Sequence, residues 1–557
     1  MAAGSSNVQF WLPFHRTEVS LIRKFTGNTW LVVIAALVSL LGCASALAQQ
    51  QFGEVSFANS GAAAAQSEFL QGLSQLHNFE YDDAAKHFRA AQQISPDFAM
   101  AYWGEAMTKN HAIWHEQDRA AAQQILGGLA ATPEARQAKA PTDREKMYLQ
   151  AVEILYGDGT KEERDLKYEA AMAELHRKFP DDVDASAFYA LSILGSAEQG
   201  RDFATYMRAA AVLEAVFPQH PRHPGVVHYM IHSYDDPIHA PLGLRPARSY
   251  SQIAPDAGHA QHMTSHIFLA LGMWDDVVKA NETASGVVNQ QRQKAGKPPR
   301  MCGHYNYWLE YGYLQQGRVS DARRVLEGCR QEAEREAANA ATGKGDAVDP
   351  DKSSVGSFSV MRATFFIDTH LWNDAVAGWI LPPGNHPFAQ FTFDYVNVLA
   401  AIQRGDDSSA REAVAKVEGD RRQCEAWLDA KKLQEPQERK RVQILTGQLQ
   451  ALLLLHSGKT DEAVRELQRL AAEEQAMLLE FGPPFVNKPT EELLGEVLLQ
   501  QNRPSDAWDA FHASLARAPG RRLSLEELAR ADKAKPATPA RKEVDGQSAA
   551  SVEVHKH

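Results

Sequence analysis

Residues 65–98 read AQSEFLQGLSQLHNFEYDDAAKHFRAAQQISPDF, and the placement of their small and aromatic residues decides the fold. Gly72 lies inside a first predicted helix, Tyr81 closes the turn, and Ala84, Phe88 and Ala91 run along a second helix that Pro96 ends. A small residue lets two helices approach, rings fill the space between them, and proline, lacking an N–H, stops the second. The unit spans 34 residues, a length typical of helix–turn–helix repeats that bury their apolar faces only by stacking on one another.

The same grammar recurs down the chain. Gly272-Met273-Trp274 marks a turn, Gly317-Arg318 precedes Ala322, Gly458-Lys459 precedes Ala463, and a further unit from about Lys488 uses Gly495, Ala507 and Phe511. Helical spacing of apolar residues predominates and no stretch shows sustained alternation, which predicts an all-α class. Roughly ten helix pairs are expected between about residues 62 and 532. The hairpin after Pro224 departs from the pattern, with Gly243 and Tyr250 where small alanines are usual, although Pro255 still ends it.

A chain of 557 residues is too long for one compact core, so an elongated array suits it better. The expected organisation is an N-terminal array over 62–338, a polar loop over 336–355 reading EAANAATGKGDAVDPDKSS from Glu336 to Ser354, and a second array over 356–532. A Lys-, Pro- and Ala-rich tail over 536–557 is expected to be disordered. The formal charge of -12, with both signs interspersed, offers no broad basic face and excludes nucleic acid as an expected partner.

Residues 1–48 read as an export signal or membrane anchor. Arg16, Arg23 and Lys24 precede an apolar run from Trp30 to Leu41, and Ala46-Leu47-Ala48 supplies a small-x-small cleavage site, so the mature chain is expected to begin near Gln49. Leu40-Leu41-Gly42-Cys43 also resembles a bacterial lipobox, so a lipid on Cys43 is the alternative anchor. Either route places the protein in the periplasm or outside the cell, with membrane contact through this segment alone. Of the remaining cysteines, Cys302 and Cys329 fall on opposite arms of one predicted hairpin. A single disulfide and two packed thiols are both open readings, whereas Cys424 reads as a packed thiol.

Chemistry concentrates in one region. His228 and His232 lie four residues apart, as do His262 and His266, and the second pair follows the first by 34 positions. Residues four apart share one helix face, about 5–6 Å apart at Cβ, and stacked helices lie about 8–10 Å apart. The four imidazoles are therefore candidate ligands for one zinc, copper or iron ion. His259 precedes His262 by one turn, Asp235 follows His232, and either Asp235 or Asp236 is expected to fix a ligand tautomer. His304, Tyr307 and Tyr311 occupy the corresponding places in the next hairpin and complete the candidate set.

These repeats resemble the tetratricopeptide family, which implies a right-handed α-solenoid whose concave groove carries the histidine positions. The stretches His223-Pro224-Gly225-Val226-Val227-His228-Tyr229, His262-Met263-Thr264-Ser265-His266-Ile267 and Ala101-Tyr102-Trp103-Gly104-Glu105-Ala106-Met107 resemble an exported bacterial subgroup of it. That resemblance implies no particular reaction. It leads to a second histidine being expected in the hairpin from Gly303, where Tyr307 stands instead.

Three signals carry little. Gly458-Lys459-Thr460 resembles the end of a phosphate loop, but Leu453 holds the place of the upstream glycine. His228-Tyr229-Met230-Ile231-His232 has the spacing of a zinc-peptidase helix, but Tyr229 replaces the catalytic glutamate. His111 and His115, near Trp103 and Trp114, read as loop residues whose aromatic neighbours pack between repeats. Two functions follow: a binding or scaffold module taking a protein, peptide or metal in its groove, or a redox or hydrolytic metalloenzyme. Whether the chain is an enzyme is not fixed by its sequence.

Overall fold

The computed structural model describes residues 51–197, 201–341, 353–381, 386–431 and 435–535, so the expected export segment and tail lie outside the described residues. Antiparallel helix pairs follow one another along the chain. Gln66–His77 lies against Tyr81–Ile94, Gly258–Ala270 against Trp274–Lys294, and His304–Gln315 against Val319–Ala341. Pro436–His456 with Thr460–Gln475, and Thr490–Gln500 with Pro504–Arg517, continue the array. The molecule is an α-solenoid of tetratricopeptide-like hairpins.

Local chemistry sets the ends of these helices. Thr142 and Thr160 form capping boxes with Glu145 and Glu163, each satisfying otherwise orphaned N–H groups at a helix start. At the turns, Gly272, Gly317 and Gly458 take φ of 68°, 70° and 77°, a left-handed conformation that costs glycine nothing. Gly458 is thus a hairpin turn and not a phosphate loop.

Burial follows helix position. Nearly every residue of Gly258–Ala270 is buried, whereas its partner Trp274–Lys294 buries only Val277, Val278, Ala280, Asn281 and Ala284 and turns its polar face outward. The departure at Gly243 has a steric cause, since a Cβ there would stand 2.5 Å from Ile267 Cδ1. Tyr250, the other departure, is buried and donates its hydroxyl hydrogen to Asn78 Oδ1 at 2.8 Å.

One boundary differs from its expectation. The loop placed over 336–355 is shorter at both ends, because helix Val319–Ala341 continues through its first residues and the next helix begins at Ser354. A ribbon of two residues per strand, Asn110–His111 pairing with Glu116–Gln117, leaves the class all-α as expected. The chain also returns on itself: Trp274 Nε1–H donates to Gly520 O at 2.9 Å, and Phe481 and Gly482 lie against His266 and Trp308. Cys302 and Cys329 are joined in a disulfide, and Cys424 is buried and free. Among the described residues no helix is long and apolar enough to cross a membrane.

Candidate metal centre

The two histidine pairs sit on the inner helices Pro224–Ser233 and Gly258–Ala270. They do not line an open groove: His228 is 0% exposed, His232 4%, His262 0% and His266 2%. Nor do the four stand as one set. His228 and His232 join His259, and His262 and His266 join His304, with the candidate ligand atoms of each triad within 4.8 Å of one another. The two triads adjoin, ring centroids being 5.9 Å apart between His232 and His266 and 6.3 Å between His259 and His262.

Hydrogen-bond partners on the far side of each ring fix where its protons lie. Asn281 Nδ2–H donates to Val277 O, leaving Asn281 Oδ1 to accept from His262 Nδ1–H at 2.7 Å. His266 Nδ1–H donates to Asp235 Oδ2 at 2.5 Å. With both Nδ1 atoms committed as donors, both Nε2 atoms carry lone pairs, and these face each other across 3.1 Å. Only a cation between them removes the repulsion, either an added proton or a metal ion. Burial, with His304 and His266 beside it, holds the His262 imidazole well below its ordinary pKa. Nitrogens about 2.0–2.1 Å from one tetrahedral ion stand roughly 3.3 Å apart, close to the distance present.

The first triad is built similarly. His228 Nδ1–H donates to the backbone carbonyl of His77 at 2.7 Å, so its Nε2 is an acceptor, and it lies 3.2 Å from His259 Nε2. A tautomer of His259 with its proton on Nε2 satisfies that pair without a metal. It leaves His232 Nε2, which is buried with no hydrogen-bond partner.

A third group, His77, Asp184 and His223, meets the same distance criterion but not the same chemistry. Tyr229 O–H donates to His77 Nδ1, His77 Nε2–H and His223 Nε2–H donate to Asp184 Oδ1, and Val226 N–H donates to His223 Nδ1. Every ring nitrogen then has a role with both histidines neutral. Burial lowers His77 to about 4, while Asp184, which burial alone would raise, is held below the carboxylate range by hydrogen bonds from His223 and His77. Gly225 makes room for this network, since a Cβ there would stand 2.3 Å from His77 Nδ1.

Of the secondary candidates, Asp235 takes the orienting role on His266, whereas Asp236 bonds Arg201 and His239 instead. Tyr307 and Tyr311 do not join the imidazoles through their hydroxyls: Tyr307 Oη accepts from Thr364 Oγ1, and Tyr311 Oη accepts from Arg521. Their expected place is filled by Tyr305, which stacks on His262 at 4.6 Å, and by Trp308, 4.4 Å from His266. His111 stacks on Tyr81 at 4.1 Å, and Trp114 lies 6.0 Å from His259. Sequence reading missed His77, Phe79, Asn281, Tyr305, Trp308 and Phe481. Only Trp308, four residues past His304, carried a periodic signal.

No protein-family model and no curated protein matches the chain. Similar solved structures include the Cut9–Hcn1 hetero-tetramer of the APC/C, at 10% identity and TM-score 0.33 over 90% of this chain and 82% of that one. Yeast Tom70 is similar at 13% identity and TM-score 0.32, covering 85% and 95% of the two chains. The tetratricopeptide domain of P58(IPK) is similar at 11% identity and TM-score 0.21, covering 85% and 98%.

Proposed function

We propose that this chain is a metal-binding helical-repeat protein, in which Nε2 of His262 and Nε2 of His266, with His304 beside them, hold one transition-metal ion. The observation that carries this reading is the 3.1 Å approach of two ring nitrogens whose protons are committed elsewhere. Imidazole nitrogens suit zinc, copper or iron. Three protein ligands leave a fourth position open, as in zinc sites that act on water, so a metalloenzyme remains within the proposal. A metal bound there supplies Lewis acidity or, as copper or iron, electron transfer.

The protein's own contribution is orientation and shielding of the two buried rings, His262 and His266, while His304 stands exposed at the edge of the triad. Asp235 and Asn281 fix the two tautomers, and Trp308 and Phe481 wall the rings. Repeat arrays present long surfaces to protein partners, and a partner of this one is proposed to bind outside the buried imidazoles. Export to an oxidising compartment is part of the same reading, supported by the Cys302–Cys329 pairing.

Elemental analysis of the protein recovered from its native compartment, or after loading with zinc, copper or iron, tests the reading. Metal is expected in the wild type and is lost from this triad in His262→Ala with His266→Ala. A wild type that takes up none of the three metals overturns it.

A further inference from the structure

We infer that a second ion lies beside the first, held by His228, His232 and His259, and that the two triads form a dinuclear centre taking one small anion between the ions. The inference rests on reading the His262 triad as a metal site, and it adds a site, a stoichiometry and a ligand class.

Three observations carry it. His232 Nε2 is buried without a partner, an arrangement that leaves a polar atom's desolvation uncompensated. His228 Nε2 must be an acceptor, because its other nitrogen donates to a carbonyl that can only accept, and it stands 3.2 Å from His259 Nε2. The ligand atoms of all three histidines lie within 4.8 Å of one another, as in the neighbouring triad. A proton on His259 answers the second observation but not the first. A cation at the centre of the triad answers both.

Adjacency makes the two sites one centre. His232 faces His266 and His259 faces His262 at the ring separations given above, with helices Pro224–Ser233 and Gly258–Ala270 each supplying histidines at i and i+4. Each ion receives three protein nitrogens and keeps one position open. Open positions on adjacent ions are filled together by a single small ligand, as in two-metal hydrolytic sites where one oxygen is clamped between the metals. Hydroxide is the simplest anion of this class, and azide is its spectroscopic probe.

The test uses the full chain stripped of metal and titrated with Cu(II). The wild type is expected to bind two equivalents, with an electron paramagnetic resonance signal reduced or broadened by coupling, and to take one azide per copper pair. His228→Gln with His259→Gln, and separately His262→Gln with His304→Gln, are each expected to retain one equivalent with an uncoupled signal. One equivalent in the wild type, lost only in the His262→Gln with His304→Gln variant, overturns the second site while leaving metal binding intact. Two equivalents without coupling, or two azides per pair, overturn the dinuclear centre. No bound copper, zinc or iron overturns the underlying reading instead. Copper–copper scattering in X-ray absorption of the wild type answers the same question if a variant misfolds, and its absence at full loading counts against the pair.

Discussion

Phe79 holds φ of 56° at the turn position where Gly272, Gly317 and Gly458 stand in other hairpins, and its ring lies 4.3 Å from that of His228. A left-handed conformation costs a bulky residue about 1–2 kcal/mol, whereas deleting a buried phenylalanine side chain costs about 3–5 kcal/mol. Burial against Tyr229, Tyr81 and the first triad therefore outweighs the backbone strain. Phe79→Gly is expected to lower stability by about 2 kcal/mol net in urea unfolding. Release of metal from the loaded protein to a chelator should become several-fold faster. Unchanged stability would mean that the ring contacts contribute little.

Asp235 orients His266 without belonging to either triad. Asp235→Asn preserves shape while removing the carboxylate, and metal affinity is expected to fall about 10–100-fold in chelator competition. Helicity should be unchanged. An affinity equal to wild type would remove Asp235 from the site.

The Cys302–Cys329 bond closes a loop of sequence separation 27, immediately before Gly303 and His304. Loops of this size contribute about 3 kcal/mol by restricting the unfolded chain. Cys302→Ser with Cys329→Ser is expected to lower the thermal midpoint and to weaken metal binding, because the start of the His304 helix loses its tether. Equal midpoints in reduced and oxidised wild type would refute the stabilising role.

Burial lowers His77 to about 4 in the folded protein, against 6.5 for the free side chain. Between these values the unfolded chain binds more protons, so this contribution is present above pH 6.5 and is lost as pH falls toward 4. The full difference amounts to about 3 kcal/mol. Denaturant unfolding of metal-free protein at pH 7.5 and pH 4.5 should show lower stability at the acid end. A flat profile would mean that His77 is not buried as a neutral ring.

Much of this was legible in sequence because it is local. Helix periodicity, turn glycines and the 34-residue spacing of His228/His232 and His262/His266 depend on residues close in the chain, and they determined the helical hairpins and the candidate pairs. The neighbours His259 and Asp235 followed from helical phase. In the next hairpin that phase misled: His304, Tyr305 and Trp308 meet the rings, while Tyr307 and Tyr311 direct their hydroxyls to Thr364 and Arg521.

Only tertiary structure decided how the histidines divide and where their protons lie. His228 is fixed by the carbonyl of His77, 151 positions away, and His266 is covered by Phe481 from a late segment of the chain. A helix repeat sets which side chains share a face, but not which distant backbone or ring meets that face. That depends on how the hairpins stack and where the chain returns, and it turned four expected ligands into two adjoining triads.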